Sequence, residues 1–236
     1  MKKGRPDRAH PIPNMLPQPY QTHLQRQLSP QHWRILNPLL LLLQVFHSVN
    51  LESLATLLPV AMAGRRKALQ RLLTALDIKT LWFPLISSLL KARFLPGSTL
   101  YVIVDRTQWK HRNLLMASLV WGRRAIPIYW RLLEKQGCSN LSEQIHVIDI
   151  VQPLVADYRL IVLGDREFCS VKLAEALRRR KIGYWLRLRK TATIEFNQQI
   201  QLPLWQTGLR PGISFYWAGV KVTKAQGFGV FNVAAK

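Results

Sequence analysis

Acidic residues are scarce in this 236-residue chain: 12 Asp and Glu stand against 34 Lys and Arg, a formal net charge of +22. A field of that sign and size disfavours cationic partners and favours a polyanion. The basic residues are not gathered in one tail: 13 fall in residues 1–100 and 21 in residues 101–236. Cysteine is nearly absent. Cys138 and Cys169 are far apart and lack metal-ligand spacing, so they read as two reduced thiols, and a disulfide framework is excluded. Histidines are scattered without pairs at helical spacing, which argues against zinc. Long apolar runs are missing too. The longest, Leu39–Phe46, is interrupted by Gln44 and falls well short of the roughly 20 residues a bilayer span needs. Five prolines between Pro6 and Pro19 occupy the place where a signal peptide would be apolar. The expectation is a cytoplasmic, nucleoid-associated protein with double-stranded DNA as its partner, with a homodimer open.

What is present divides the chain into four stretches. Residues 1–30, rich in Pro, Gln, His and basic side chains, read as a disordered basic arm. Residues 31–95 read as all-helical. Trp33, Leu36, Leu39, Leu40, Leu43 and Phe46 follow helical spacing. Asn50 is placed to cap a helix over Leu51–Leu58. Arg65–Leu76 gathers Leu69, Leu72, Leu73 and Leu76 on one face and Arg65, Arg66, Lys67 and Arg71 mostly on the other, a layout like a DNA-binding helix-turn-helix. A further helix is expected over 80–92.

Residues 98–190 read as α/β. Apolar runs at Leu100–Asp105, Leu114–Trp121 and Ala125–Trp130 give three strands, the last two separated by Gly122, Arg123 and Arg124. A helix from about Leu141 to Gln152, a strand at Arg159–Gly164, a helix at Val171–Lys181 and a strand at Gly183–Leu188 follow. The first three strands can form an antiparallel meander, and the last two return through helical crossovers as parallel neighbours. That order is the ribonuclease H-like one. In residues 191–236, apolar runs at Ile213–Trp217, Val220–Val222 and Val230–Val233 predict β-hairpins.

Asp105 and Asp165 each stand at or near the end of a buried apolar strand, the first of which can continue to Trp109, and a charge there is costly unless it is paired or binds a cation. If the first and fourth strands are parallel neighbours, the two carboxylates face each other. A divalent ion relieves their repulsion, and Mg²⁺ or Mn²⁺ suits oxygen ligands. Paired ions about 3.5–4 Å apart serve phosphodiester cleavage. Each Asp alone also fits a turn or cap residue. Along the fifth strand, Trp185, Arg187 and Arg189 share one face, able to hold a nucleic-acid backbone.

The run Val104-Asp105-Arg106-Thr107-Gln108-Trp109 resembles the first catalytic block of DDE transposases of the insertion-sequence four family. Leu163-Gly164-Asp165-Arg166-Glu167-Phe168 resembles the second. The segments Trp130–Gly137 and Asn140–Gln144 resemble the link between those blocks, and Asn50–Pro59 with Arg65–Leu73 resembles the family's helical N-terminal region. The likeness spans residues 31–236. It implies a ribonuclease H-like domain, two divalent ions at a complete site, DNA cleavage and strand transfer, and transposon ends and target DNA as partners. It makes Arg166 a phosphate contact, with Trp109 and Lys110 lining the site.

The family's third acid is a Glu in a Tyr-x-x-Arg-x-x-x-Glu-x-x-x-x-x-x-Lys helix that follows a β-rich insertion. This sequence holds no such signature, and residues 191–236 resemble the beginning of that insertion. The expectation is therefore a partial, weakly active or inactive transposase. Glu143 and Glu195 are minor rivals for the third ligand, with Glu167 and Glu175 structural or solvent-facing. A non-enzymatic DNA-binding protein is the alternative, and a ribonuclease H-type nuclease using Glu143 a lesser one.

Overall fold

The computed structural model of the chain describes residues 16–58, 64–196, 200–210, 212–224 and 227–235, without the side chains of residues 109, 223–224 and 227–228. The chain groups into two compact units, Met1–Leu89 and Leu90–Lys236.

The first unit is helical. Helices α1 (Gln18–Gln27), α2 (Pro30–Phe46), α3 (Leu51–Leu57) and α4 (Arg65–Ala75) are followed by a π-helical turn (Ile78–Trp82) that leads into α5 (Phe83–Arg93). Asn50 caps α3 as its position implies, accepting from the N–H groups of Glu52 and Ser53. Leu36, Leu39, Leu54, Leu58, Leu69 and Leu72 form the core. Leu73, expected on the same inward face of α4, is instead 40% exposed. Four apolar positions at that spacing cover a wider arc than the neighbouring helices bury. The basic arm expected over 1–30 falls partly outside the described residues. Its remainder contains α1, which packs Leu24 and Leu28 against the leucine core and ties His23 Nε2 to the Leu81 carbonyl at 2.8 Å.

The second unit contains two sheets. Strands β1 (Thr99–Trp109), β2 (Arg112–Trp121), β3 (Arg124–Leu133), β4 (Arg159–Gly164) and β5 (Gly183–Leu186) make the first, in the order β3-β2-β1-β4-β5. β1, β2 and β3 are antiparallel, while β4 and β5 add in parallel. This is the mixed α/β, ribonuclease H-like order expected. Helix α6 (Leu141–Val151) packs on β2 and β3, and α7 (Val171–Arg179) carries Leu173, Ala174, Ala176 and Leu177 inward. The second sheet consists of β6 (Thr193–Phe196), β7 (Ile200–Pro203), β8 (Phe215–Lys224) and β9 (Gly227–Ala235), in the order β7-β6-β8-β9. Its small core is built on Ile194, Leu204, Val222 and Val233.

β5 stops at Leu186, short of the predicted Leu188. The pairing runs one hydrogen bond further, with Arg187 N donating to Gly164 O at 2.9 Å, and then β4 has no more backbone to offer. Exposure still alternates through the segment: Trp185, Arg187 and Arg189 are exposed and Leu186 and Leu188 half-buried. Among the described residues no single helix is long and apolar enough to cross a membrane.

Candidate active site

The centre of the first sheet brings Asp105 and Asp165 together. Val104 pairs with Gly164 as the last step of the parallel β1–β4 ladder; Asp105 follows within β1, which runs on to Trp109, and Asp165 directly follows the end of β4. Parallel strands lie about 4.8 Å apart, so the two residues stand beside each other where the ladder ends, and both line one cavity. Both residues are exposed. Asp105 Oδ1 accepts from the N–H of Arg106 at 2.8 Å, and Asp165 Oδ1 accepts from the N–H of Glu167 at 2.9 Å. Each carboxylate thus keeps an Oδ2 with no hydrogen bond among the described residues. Two adjacent, half-satisfied oxygen donors fit a hard divalent cation.

The turn after β4 explains the spacing of its residues. Phe168 N donates to the Asp165 carbonyl at 3.1 Å, which folds the chain back and drives Phe168 beneath the strand end, where it is 1% exposed. Gly164 makes room for this: a Cβ there would lie 2.7 Å from the Cβ of Phe168 and 2.9 Å from Leu186 Cδ2. Within the turn, the Asp165 side chain bonds the backbone two residues on, an Asx-turn.

Glu167 does not face solvent. Its carboxylate takes Arg106 Nε at 2.7 Å on both oxygens and Arg106 Nη2 at 2.7 Å, together with the N–H and hydroxyl of Ser139 at 3.1 and 3.0 Å. Arg106 Nη1 donates to Asn113 Oδ1 at 3.0 Å, and Asn113 Nδ2 donates to the carbonyls of Lys135 and Gly137. Gln144, buried on α6, closes the network on Ser139. Burial pushes the Glu167 carboxyl up, but the Arg106 guanidinium and the Ser139 donors outweigh it and hold it below the usual carboxylate range. Arg106 and Glu167 are 61 residues apart, so spacing offered no signal beyond their places next to the two aspartates.

Neither rival acid joins the pair. Glu143 sits in a capping box with Asn140 at the start of α6 and is held by Lys135 Nζ at 2.7 Å. Glu195, on β6, binds Lys221 Nζ and Gln201 Nε2, both at 2.8 Å. Among the described residues, no group of three or more His, Cys, Asp or Glu side chains is placed to hold a metal ion.

The predicted basic contacts fall in both units. Arg166 is exposed beside Asp165, and its carbonyl accepts from Arg189 Nε at 3.4 Å. Arg187 lines the same cavity of about 1590 Å³, which extends from Asp105 and Asp165 past Trp185 to β8 and β9. Trp185 leans on Tyr101 with ring centroids 5.4 Å apart. Lys110 is exposed at the β1–β2 turn in the left-handed region, with φ 54°. The side chain of Trp109 lies outside the described set. In the first unit, Arg66 pairs with Glu52 at 3.1 Å, Arg65 reaches the Thr56 carbonyl, and Lys67 is exposed.

No family model and no curated protein matches the sequence. Among solved structures, the chain is similar to the piggyBac transposase in a synaptic complex with hairpin DNA. That match has 15% identity and a TM-score of 0.41, covering 88% of this chain and 52% of the other. It is also similar to the HTLV-2 integrase catalytic core domain in complex with magnesium, with 15% identity, a TM-score of 0.27 and 39% and 62% coverage. A pre-cleavage Mos1 transpososome matches with 11% identity, a TM-score of 0.24 and 66% and 60% coverage. The chain spans about half the length of the piggyBac chain it matches. At these scores the likenesses are distant, and the fold stands on its own strand order.

Proposed function

We propose that the chain is a transposase-like protein of the DDE class, in which Asp105 and Asp165 ligate Mg²⁺ or Mn²⁺ and the surrounding cations hold double-stranded DNA. The observation that carries this reading is the register of β1 and β4, which brings together two carboxylates 60 positions apart in sequence, one within β1 and one directly after β4, with one oxygen each left open. Divalent ions held by Asp105 and Asp165 would supply activation of a water or 3′-hydroxyl and charge stabilisation of the departing oxygen. The chain's own residues orient the DNA. Arg166, Arg187 and Arg189, clustered at the strand ends, contact phosphates near the pair. Lys110 at the hairpin tip extends that surface, and Arg65, Arg66 and Lys67 form a separate phosphate-binding face on the helical unit. Transposon ends and target DNA are the substrates, a homodimer the working form, and the nucleoid the location. Resemblance of the blocks around Asp105 and Asp165 to the insertion-sequence four family supports the assignment.

Activity of these 236 residues by themselves is low, because no third acid joins the pair among the described residues. The same observation favours a second reading, a DNA-binding protein without catalysis. A nicking assay on supercoiled DNA with Mg²⁺ or Mn²⁺, beside a gel shift, separates the two. The first reading expects weak nicking that vanishes in Asp105→Ala, with DNA binding that survives the substitution and weakens steeply with salt. Robust nicking that depends on both aspartates would overturn the low-activity statement. Nicking absent under every metal leaves the second reading. DNA binding that ignores salt would sink both.

A further inference from the structure

Two hydrogen bonds reach the carboxylate pair, and two further contacts tie the residues that donate them to each other and to Ser139. The backbone N–H of Arg106 holds the Asp105 carboxylate, and the backbone N–H of Glu167 holds the Asp165 carboxylate. The side chains of the same two residues bind each other through a doubly bonded guanidinium–carboxylate contact. Glu167 also takes both Ser139 donors, so the loop before α6 is tied to the same point. Each holder of a ligand is therefore locked to the holder of the other. The side chains are 18% and 13% exposed, so water competes little for the contact. The pair also carries no net charge. A lone guanidinium there would repel an incoming cation, and a lone third carboxylate would add to the repulsion between the aspartates.

We propose that Arg106 and Glu167 are positioning residues that set the separation and orientation of Asp105 and Asp165, and that Ser139 couples the β3–α6 loop to that setting. The inference rests on the reading of the two aspartates as metal ligands. Groups that orient metal ligands from behind typically change metal affinity by about 10- to 100-fold when removed. The doubly bonded contact gives the geometry a fixed direction that a single hydrogen bond would not.

Mn²⁺ binding to the full 236-residue chain, read from the loss of free-ion electron paramagnetic resonance signal, tests this without depending on catalysis. Asp105→Ala is expected to abolish specific binding. Glu167→Gln is expected to weaken it about 10- to 100-fold, and Ser139→Ala to weaken it by less. Circular dichroism and melting verify the fold of each variant. Hydrogen exchange adds a reading that general destabilisation would not produce. The amides at positions 106 and 167 should lose protection in Glu167→Gln while those of Val102 and Val162 keep theirs. If Asp105→Ala leaves Mn²⁺ binding intact, the metal-site reading itself fails. If Asp105→Ala abolishes binding but folded Glu167→Gln and Ser139→Ala both bind as the unaltered chain does, the positioning role is overturned and the metal pair stands. If Glu167→Gln does not fold, Ser139→Ala decides in the same way.

Discussion

Two pairs of charged residues, one and two positions apart in the sequence, behave in opposite ways. At the rim, Asp105 and Asp165 are exposed, alike in charge, and each is held by one backbone N–H. In the floor below, Arg106 and Glu167 are opposite in charge, largely buried, and engaged on nearly every polar atom. The floor is built for stability of position. The rim is left with unmet electrostatic demand. Satisfying a buried charge completely, and an exposed one only in part, concentrates binding capacity where a ligand can reach it.

The largest effect expected from breaking this contrast is on the floor. Glu167→Ala strands Arg106 and two Ser139 donors in a poorly hydrated place, and the cost should be about 3 kcal/mol. For a unit of this size that is a fall of roughly 10 °C in melting temperature, measurable by calorimetry. A fall of a degree or two would show that the floor is not what holds the strand ends. Next comes the glycine that lets Phe168 fold under. Gly164→Ala should cost about 1–3 kcal/mol through crowding against Phe168 and Leu186, checked by denaturant unfolding. The rim should respond with the other sign. Asp105→Asn removes one of two like charges and should leave stability unchanged or raise it by up to about 1 kcal/mol at low salt. The gain should shrink as salt is added. A clear loss of stability would mean that Asp105 is a structural residue and not a waiting ligand.

The smallest effect concerns Glu143, the acid that a ribonuclease H-type nuclease would need. Burial pushes its carboxyl up, but the Lys135 ammonium and the Asn140 N–H outweigh this, and with Arg131 nearby they hold it below the ordinary 4.5. A lowered folded-state value stabilises the protein above the ordinary range, and that contribution is lost as pH falls through the lowered value. Glu143→Gln should therefore flatten the acid limb of a melting-temperature profile below about pH 4.5 and leave Mn²⁺ binding unchanged. A loss of metal affinity in this variant would bring Glu143 back as a ligand.

Legibility in the sequence followed locality. The strand over 159–164 reads directly, because Leu160–Leu163 is an uninterrupted apolar run closed by Gly164 and Asp165. The start of α6 at Leu141 reads as well, while the capping box of Asn140 with Glu143 that fixes it comes from the structure. The short strands β6 and β7 are less readable: each has four residues, and their partners lie across turns or at a distance. Helix α1 was hidden by its polar composition, and it is anchored by Leu24, Leu28 and a hydrogen bond from His23 to Leu81, 58 residues away. Arg187 and Arg189 keep the predicted exposure but not the predicted strand, because β4 ends first.

The sequence by itself determined the basic character of the chain, the strand and helix order of residues 98–190, and an aspartate on the strand at Asp105 and after the strand at Asp165, although β1 runs on past Asp105 to Trp109. All of these rest on composition or on patterns a few residues long. Only the tertiary structure decided that Glu167 belongs to Arg106 and Ser139, and that Glu143 and Glu195 are held by lysines away from the aspartates. A carboxylate's role depends on which cations and donors the fold brings within about 3 Å of it, and that is set by strand register across tens of residues, not by its neighbours in the chain.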